Sequence, residues 1–410
     1  MKPLPLHIPV IQNWSCHSCT DCCRNQLLIR ITPAEKERIE NQNWSPTNGV
    51  DPDSMIVAEQ DYFRLNHRAD GTCVFLNEQG RCRIHEKFGE DAKPLACRLY
   101  PLTLTPVGGT LVVGLRFSCP SAAANRGTPL TSRETNLKKL AAEVVPPGFK
   151  QEPPPPIADA PDGDWAHFRR FIKWLDASMS PASDHTALKL IRTLHWLDAI
   201  ERDKLDRVDG NTAEEILEGM VRSAARRFPS LPVPLEPPSR TGRILFRMMV
   251  GEHARAITVH DMNRPGRYRW RMLRVLWRFA RAAGSTPEMR PELKPVPFSA
   301  VEQVSSRLSP SLDAALTRYF RMKIQSVGFC GRAFHNAPLI EGFRSLALLY
   351  PIILWLARWH AASHERQALV EEDLVRAITI ADYHHGFSRW SRRRVRLLAQ
   401  RNDIARLCAG

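Results

Sequence analysis

Eight of the chain's ten cysteines lie within its first 119 residues, and they begin as Cys16-x2-Cys19-x2-Cys22-Cys23. Four more stand singly at Cys73, Cys82, Cys97 and Cys119. Thiolates spaced two residues apart can turn inward on one loop and share a metal, because each intervening pair forms a tight turn. A segment that collects eight thiols in under a third of the chain is constrained more by what they bind than by apolar packing. All eight are therefore candidate metal ligands.

The surroundings expected of the chain agree with that chemistry. Met1 to Leu6 carries no apolar run of signal-peptide length. The most apolar stretch, Ser345 to Ala357, is flanked by Arg344 and Arg358 and contains Pro351. A bilayer span needs about twenty apolar residues, so this stretch predicts a buried helix and no membrane span. The expectation is a cytoplasmic, reducing compartment, where clustered thiols bind metal and do not pair as disulfides.

Val145 to Gly163 is proline-rich, with Pro153 to Pro156 in succession, and predicts a semi-rigid linker. It divides the chain into a cysteine-cluster domain over 1–145, a linker over 146–164 and a third region over 165–410. Before it, Thr32-Pro33-Ala34-Glu35 is a capping-box helix start after the apolar run Leu27 to Ile31. Cys73–Leu76 and Arg81–Ile84 flank Asn77 to Gly80 as a hairpin, and Leu102–Thr105 and Leu111–Phe117 flank Gly108-Gly109 as another. After the linker, three- and four-residue apolar spacing predicts helices over 165–176, 188–202, 213–227, 240–253, 267–283, 312–326, 343–360, 371–384 and 388–399. The fold class is an α+β metal-binding module with short hairpins, followed by a larger all-α domain. Small modules of this kind have little core, and a metal often supplies the missing stability.

Two metals compete. Zinc takes four tetrahedral thiolate or imidazole ligands and CxxC pairs are its usual handles. Adjacent side chains are expected to point apart, which sets Cys22 and Cys23 against a single zinc ion. A 4Fe–4S cubane suits the loop Cys16, Cys19, Cys22 with a remote cysteine before proline, and Cys119-Pro120 supplies one. The spacing favours iron–sulfur over zinc. Cys330 and Cys408 stand alone in helical context and are expected to be packed thiols.

Four segments together resemble a known family: the opening run, Cys73-Val74-Phe75-Leu76, Gly80-Arg81-Cys82-Arg83-Ile84-His85, and Lys93-Pro94-Leu95-Ala96-Cys97-Arg98-Leu99-Tyr100-Pro101. They resemble the YkgJ-type cysteine-cluster family, described as zinc- or iron-chelating, one branch of which is the flagellin lysine N-methylases. The resemblance covers roughly residues 10–120 and implies a metal centre. Lys93 stands where arginine commonly precedes the proline, which touches a salt bridge or anion contact and not the metal. A methylase would need S-adenosylmethionine, yet no glycine-rich turn leads from strand to helix; Gly108-Gly109 sits inside a hairpin. Methylation of a protein substrate is thus an alternative in which the cofactor binds by other means, and catalytic residues stay unassigned.

Other histidines have simpler readings. His85 could ligate or support a ligand, but reads better as a surface residue. His17 points away between ligands. His360 and His364 share a helix face without a third ligand, and Asp382, His384 and His385 cluster before Gly386 at a helix end. Net charge is +15, of which residues 1–150 carry +3 and residues 151–410 carry +12. Arg389, Arg392, Arg393, Arg394 and Arg396, with Trp390, and Arg267, Arg269, Arg271, Arg274 and Arg278, with Tyr268, Trp270 and Trp277, could form one cationic aromatic surface. That surface would suit nucleic acid or an acidic protein, a third reading; solvated helix faces are the simpler one.

Overall fold

The computed structural model describes residues 4–24, 28–145, 149–158, 163–208, 210–256, 265–385 and 389–410. Short strands in two small sheets occupy the amino-terminal region, and helices dominate the rest of the chain. In one sheet β2 (Arg30–Ile31), β4 (Phe63–Leu65) and β3 (Ile56–Ala58) run antiparallel in that order. In the other, β1 (Leu6–His7) lies parallel to β6 (Thr110–Leu115), which pairs antiparallel with β5 (Leu102–Val107).

The β5–β6 hairpin owes its closure to its turn. Gly108 and Gly109 adopt φ of 57° and 81°, the left-handed pair that a two-residue hairpin requires. A Cβ on Gly108 would also stand 2.9 Å from Trp165 Cβ. The other predicted hairpin is corrected. Leu76 and Cys82 form a single bridge around the Asn77 turn, and Arg83–Phe88 is helix α3. Asn77 Oδ1 accepts from the Arg81 amide at 2.7 Å and its Nδ2 donates to Glu86, so one side chain closes the turn and holds the adjoining helix. Further helices of this region are α1 (Asp21–Arg24), α2 (Pro33–Glu40), α4 (Leu95–Leu99), α5 (Pro120–Ala123) and α6 (Glu134–Val144).

Two apolar cores result. The smaller gathers Trp44, Phe75, Ile39, Leu65, Ile84 and their neighbours under the β2–β4–β3 sheet, with half-buried Cys73 and Cys82 packed against it. The larger joins the β5–β6 hairpin to the helices: Val113, Leu115 and Phe117 lie in one cluster with Tyr319, Phe320 and Ile380.

The expected helices form with boundaries close to those read from periodicity: α7 (Trp165–Met179), α8 (Thr186–Arg202), α9 (Gly210–Arg227), α10 (Arg240–His253), α11 (Pro265–Arg281), α13 (Pro310–Gln325), α14 (Leu339–Ser363), α15 (Glu371–His384) and α16 (Arg389–Gln400). The shorter α12 (Phe298–Gln303) and α17 (Asp403–Ala409) complete the set. By length and composition α14 could cross a membrane, but 83% of its apolar window is buried within the fold, as the predicted core helix requires. The described part of the proline-rich segment is docked. The carbonyls of Pro156 and Ile157 accept from the Leu339 and Ile340 amides at 2.8 and 3.0 Å, satisfying two orphan donors of α14's first turn. Residues 146–148 and 159–162 of that segment, and Gly386, lie outside the described residues.

Candidate metal centre

The opening cysteine loop is shaped by two left-handed residues, Ser18 and Thr20, with φ of 53° and 66° on either side of Cys19. Thr20 then starts α1: its carbonyl accepts from the Cys23 and Arg24 amides, and its hydroxyl accepts from Arg24 Nε at 2.8 Å. Within that turn the Cys22 and Cys23 sulfurs come to 3.8 Å of each other. The expectation that they point apart is therefore corrected. On a strand neighbouring side chains oppose, but a helical turn rotates them by only about 100°.

The later cysteines are brought in by separate anchors. The Cys73 amide donates to the Cys23 carbonyl at 2.8 Å. Cys82 caps α3 beside the Asn77 turn, and Gly80 of that turn backs onto the Thr20 methyl. Cys97 lies on α4, whose Leu95 amide donates to Glu35 Oε1 at 2.7 Å. Glu35 is also the acidic partner of the capping box predicted at Thr32, so one carboxylate both starts α2 and sets the Cys97 turn. Cys119 precedes α5 as its cap residue.

Charge links these sulfurs. Burial pushes the Cys73 thiol up to about 11, and a charge on Cys82 or Cys22 adds to the rise. Cys19 is likewise held at about 11 by desolvation, with Cys119 and Cys22 contributing. Cys22 is raised first by its bond to Cys23. Cys97 and Cys119 are raised by burial, and both feel Cys22. Lys93 opposes the rise at Cys22 and Cys97, so lysine at this position still supplies a cation. Ionised sulfurs at Cys22, Cys23, Cys73, Cys82 and Cys119 thus each raise a neighbouring thiol of the cluster. Such a donor set fits a soft metal ion, whose positive charge relieves both the repulsion and the desolvation. Among the described residues, no three His, Cys, Asp or Glu side chains already converge as a closed metal cage.

The histidines take the simpler readings. His17 Nδ1 lies 3.2 Å from Ser121 Oγ, and His85 is exposed on α3. His360 Nδ1 meets Asp373 Oδ1 at 2.6 Å, while His364 Nδ1 lies 2.8 Å from the His360 carbonyl. His384 Nε2 lies 2.7 Å from the Arg255 carbonyl, and His385 stacks on Phe334. Cys330 and Cys408 are buried thiols.

Asp382 has a part that its helix-end position did not suggest. Its Oδ2 accepts from the amides of Phe117 and Ser118 at 2.7 and 3.1 Å, immediately before Cys119. Its Oδ1 accepts from Lys323 Nζ at 3.0 Å and the Tyr319 hydroxyl at 3.2 Å, all buried. Arg376 on the same helix reaches Asp21 beside the cysteine pair at 3.2 Å. The helical part thus grips the cysteine segment at two points.

The basic runs separate. Arg392 and Arg396 pair with Glu341 at 2.5 and 2.8 Å, and Arg394 pairs with Glu252, so these three are ion-paired within the fold. The side chains of Arg389 and Trp390 lie outside the described residues. On α11, by contrast, Arg267, Arg269, Arg274 and Arg278 meet no carboxylate partner among the described residues, and Trp270 and Trp277 are 71% and 61% exposed.

Comparison with known proteins agrees with the cysteine pattern. Residues 15–122 match the CxxCxxCC family, described as a "putative zinc- or iron-chelating domain". The match takes in all eight amino-terminal cysteines and ends before the proline-rich segment, so the amino-terminal segment is a cysteine-cluster domain of the zinc- or iron-chelating class. No curated protein and no solved structure matches the chain.

Proposed function

We propose that the cysteine module holds a zinc or iron centre that completes its fold, with Cys22 and Cys23 at its heart and Cys16, Cys19, Cys73, Cys82, Cys97 and Cys119 as the remaining donors. One observation carries the reading: the 3.8 Å separation of the Cys22 and Cys23 sulfurs. Two thiolates on one tetrahedral zinc, each about 2.3 Å from the metal, stand about 3.8 Å apart. The pair therefore suits two corners of a mononuclear site, which removes the argument against zinc that adjacency supplied. The iron–sulfur reading keeps its own support in the Cys16, Cys19, Cys22 loop, in Cys119-Pro120, and in a thiol count that exceeds one zinc site. The residues would bind and orient the metal, and Lys93 would offset part of the thiolate charge.

Metal and acid-labile sulfide analysis of anaerobically purified protein tests the proposal. Stoichiometric zinc without sulfide supports the mononuclear site. Iron with equal sulfide and a visible charge-transfer band supports the cluster. Protein free of both metals, binding neither on reconstitution, overturns the proposal. The S-adenosylmethionine-dependent methylase alternative would need its cofactor bound by means other than Gly108-Gly109, which forms the turn of a β-hairpin.

A further inference from the structure

A cavity of about 300 Å3 opens beside α11, far in sequence from the cysteines, and four arginines line it: Arg255, Arg271, Arg274 and Arg278. The last three are spaced by three and four residues, which sets their side chains along one helix face. Arg255 arrives from the end of α10 with its side chain only 15% exposed; its Nε is buried without a hydrogen-bond partner, and its nearest carboxylate, Glu252, stands at 4.0 Å and is already held by Arg394. Glu288 is the single carboxylate in the lining. Beneath the guanidinium groups lie Met272, Val275 and Met289.

Arg274 and Arg278 face this cavity without a carboxylate partner among the described residues, and an entering anion would relieve the repulsion between their charges. Planar guanidinium forks match the oxygens of a phosphate in bidentate fashion, and lysine-free clusters of this kind favour it over a spherical anion. The apolar floor calls for a ligand with more than charge. The neighbouring stripe of α11 carries Trp270, Leu273 and Trp277, all exposed, which extends apolar surface past the rim. A volume of this size accommodates a small molecule.

We infer that this cavity is a binding site for a phosphate ester with an apolar or aromatic body, independent of the cysteine centre. Arg274 and Arg278 take the phosphate together with Arg255, and Met272, Val275 and Met289 take the body. The ester is either a soluble metabolite or the headgroup of an anionic phospholipid, in which case Trp270, Leu273 and Trp277 rest in the membrane interface.

Calorimetry and tryptophan fluorescence on the full chain test this, with 1-naphthyl phosphate as the soluble probe and phosphatidylcholine vesicles with and without phosphatidic acid as the lipid probe. Saturable one-to-one binding of the ester is expected, at least tenfold weaker in R274A/R278A and unchanged in R267A/R269A, which removes equal charge outside the cavity. Ester binding without vesicle binding assigns a soluble ligand; binding to the phosphatidic acid vesicles that depends on Arg274 and Arg278 assigns the lipid. Equal binding by both double variants, no binding of either probe, or retention of single-stranded RNA alone would each overturn the inference. All four substituted side chains are exposed and without carboxylate partners among the described residues, so both variants are expected to fold.

Discussion

The two cores of this protein are built on different terms. The smaller is formed by eight buried apolar side chains, Trp44 and Phe75 the largest, enclosed by two- and three-residue strands and short helices. The larger spans the β5–β6 hairpin and the long helices, with α14 buried along most of its length. Burial of a full apolar side chain contributes about 1.5–3 kcal/mol, and ordering each residue costs a comparable amount. A helical core of this size meets that cost from packing. The small core does not, and the thiols beside it are where the remaining stability would come from.

The largest effect should therefore come from the metal. Removing it with a strong zinc or iron chelator is expected to cost the small core on the order of 10 kcal/mol and to leave the helical core folded. Thermal unfolding monitored by far-ultraviolet circular dichroism should split into two transitions, with proteolysis confined to roughly residues 16–97 in the chelated protein. A single cooperative loss of all structure would show that the two cores are not energetically separate. Cys22→Ser/Cys23→Ser should reproduce the split, whereas Cys330→Ser should keep full metal content, its thiol being buried in the large core.

Next comes the joint between the regions. Asp382→Ala leaves Lys323 buried without its carboxylate and frees the Phe117 and Ser118 amides. Breaking such a buried pair is expected to cost roughly 3–5 kcal/mol in the helical transition and to weaken metal retention through Cys119. Unchanged stability in this variant would mean that the grip is not energetically real. Glu35→Ala is a smaller change within the cysteine module: it removes a cap and the Leu95 anchor together. About 1–2 kcal/mol should be lost from the small-core transition alone, with Glu35→Gln restoring part of it.

Acid should act on the large core. His384 and His385 are held well below the ordinary imidazole value, first by burial; Arg290, Arg255 and His253 add to it for His384, and Lys323, His253 and His335 for His385. Both stay neutral in the fold, while the unfolded chain protonates them below about pH 6.5. Their contribution is complete above that value and declines as pH falls below it, by up to about 1.4 kcal/mol per histidine per pH unit. Denaturant unfolding of the helical transition from pH 7 to pH 5 should show this slope, and His384→Asn should flatten it.

Local signals carried far in this chain. The Thr32–Glu35 capping box, the Gly108-Gly109 hairpin and the start and end of α10 and α15 all form where residue pattern placed them, because each depends on side chains within a few positions. Arg83 and Ile84 went to a helix because the Asn77 side chain, nine residues from Glu86, outweighed the alternating pattern. The second role of Glu35 rests on an amide sixty residues away. That of Asp382 rests on two amides more than 260 residues away, and spacing within a segment holds no information about such partners.

The sequence by itself determined the class of the amino-terminal segment, since eight thiols in that order have few other uses, and it determined the helical character of the rest through apolar periodicity. Tertiary structure alone decided how the thiols are used. It folded Cys22 and Cys23 into one turn so that their sulfurs meet, and set Cys73, Cys97 and Cys119 around them from separate anchors. It also divided the arginines, pairing Arg392, Arg394 and Arg396 of α16 with carboxylates and setting Arg274 and Arg278 of α11 beside a cavity. Charge is a property of composition, but whether a charge is spent on a neighbour or left for a ligand depends on which distant carboxylate the fold places beside it.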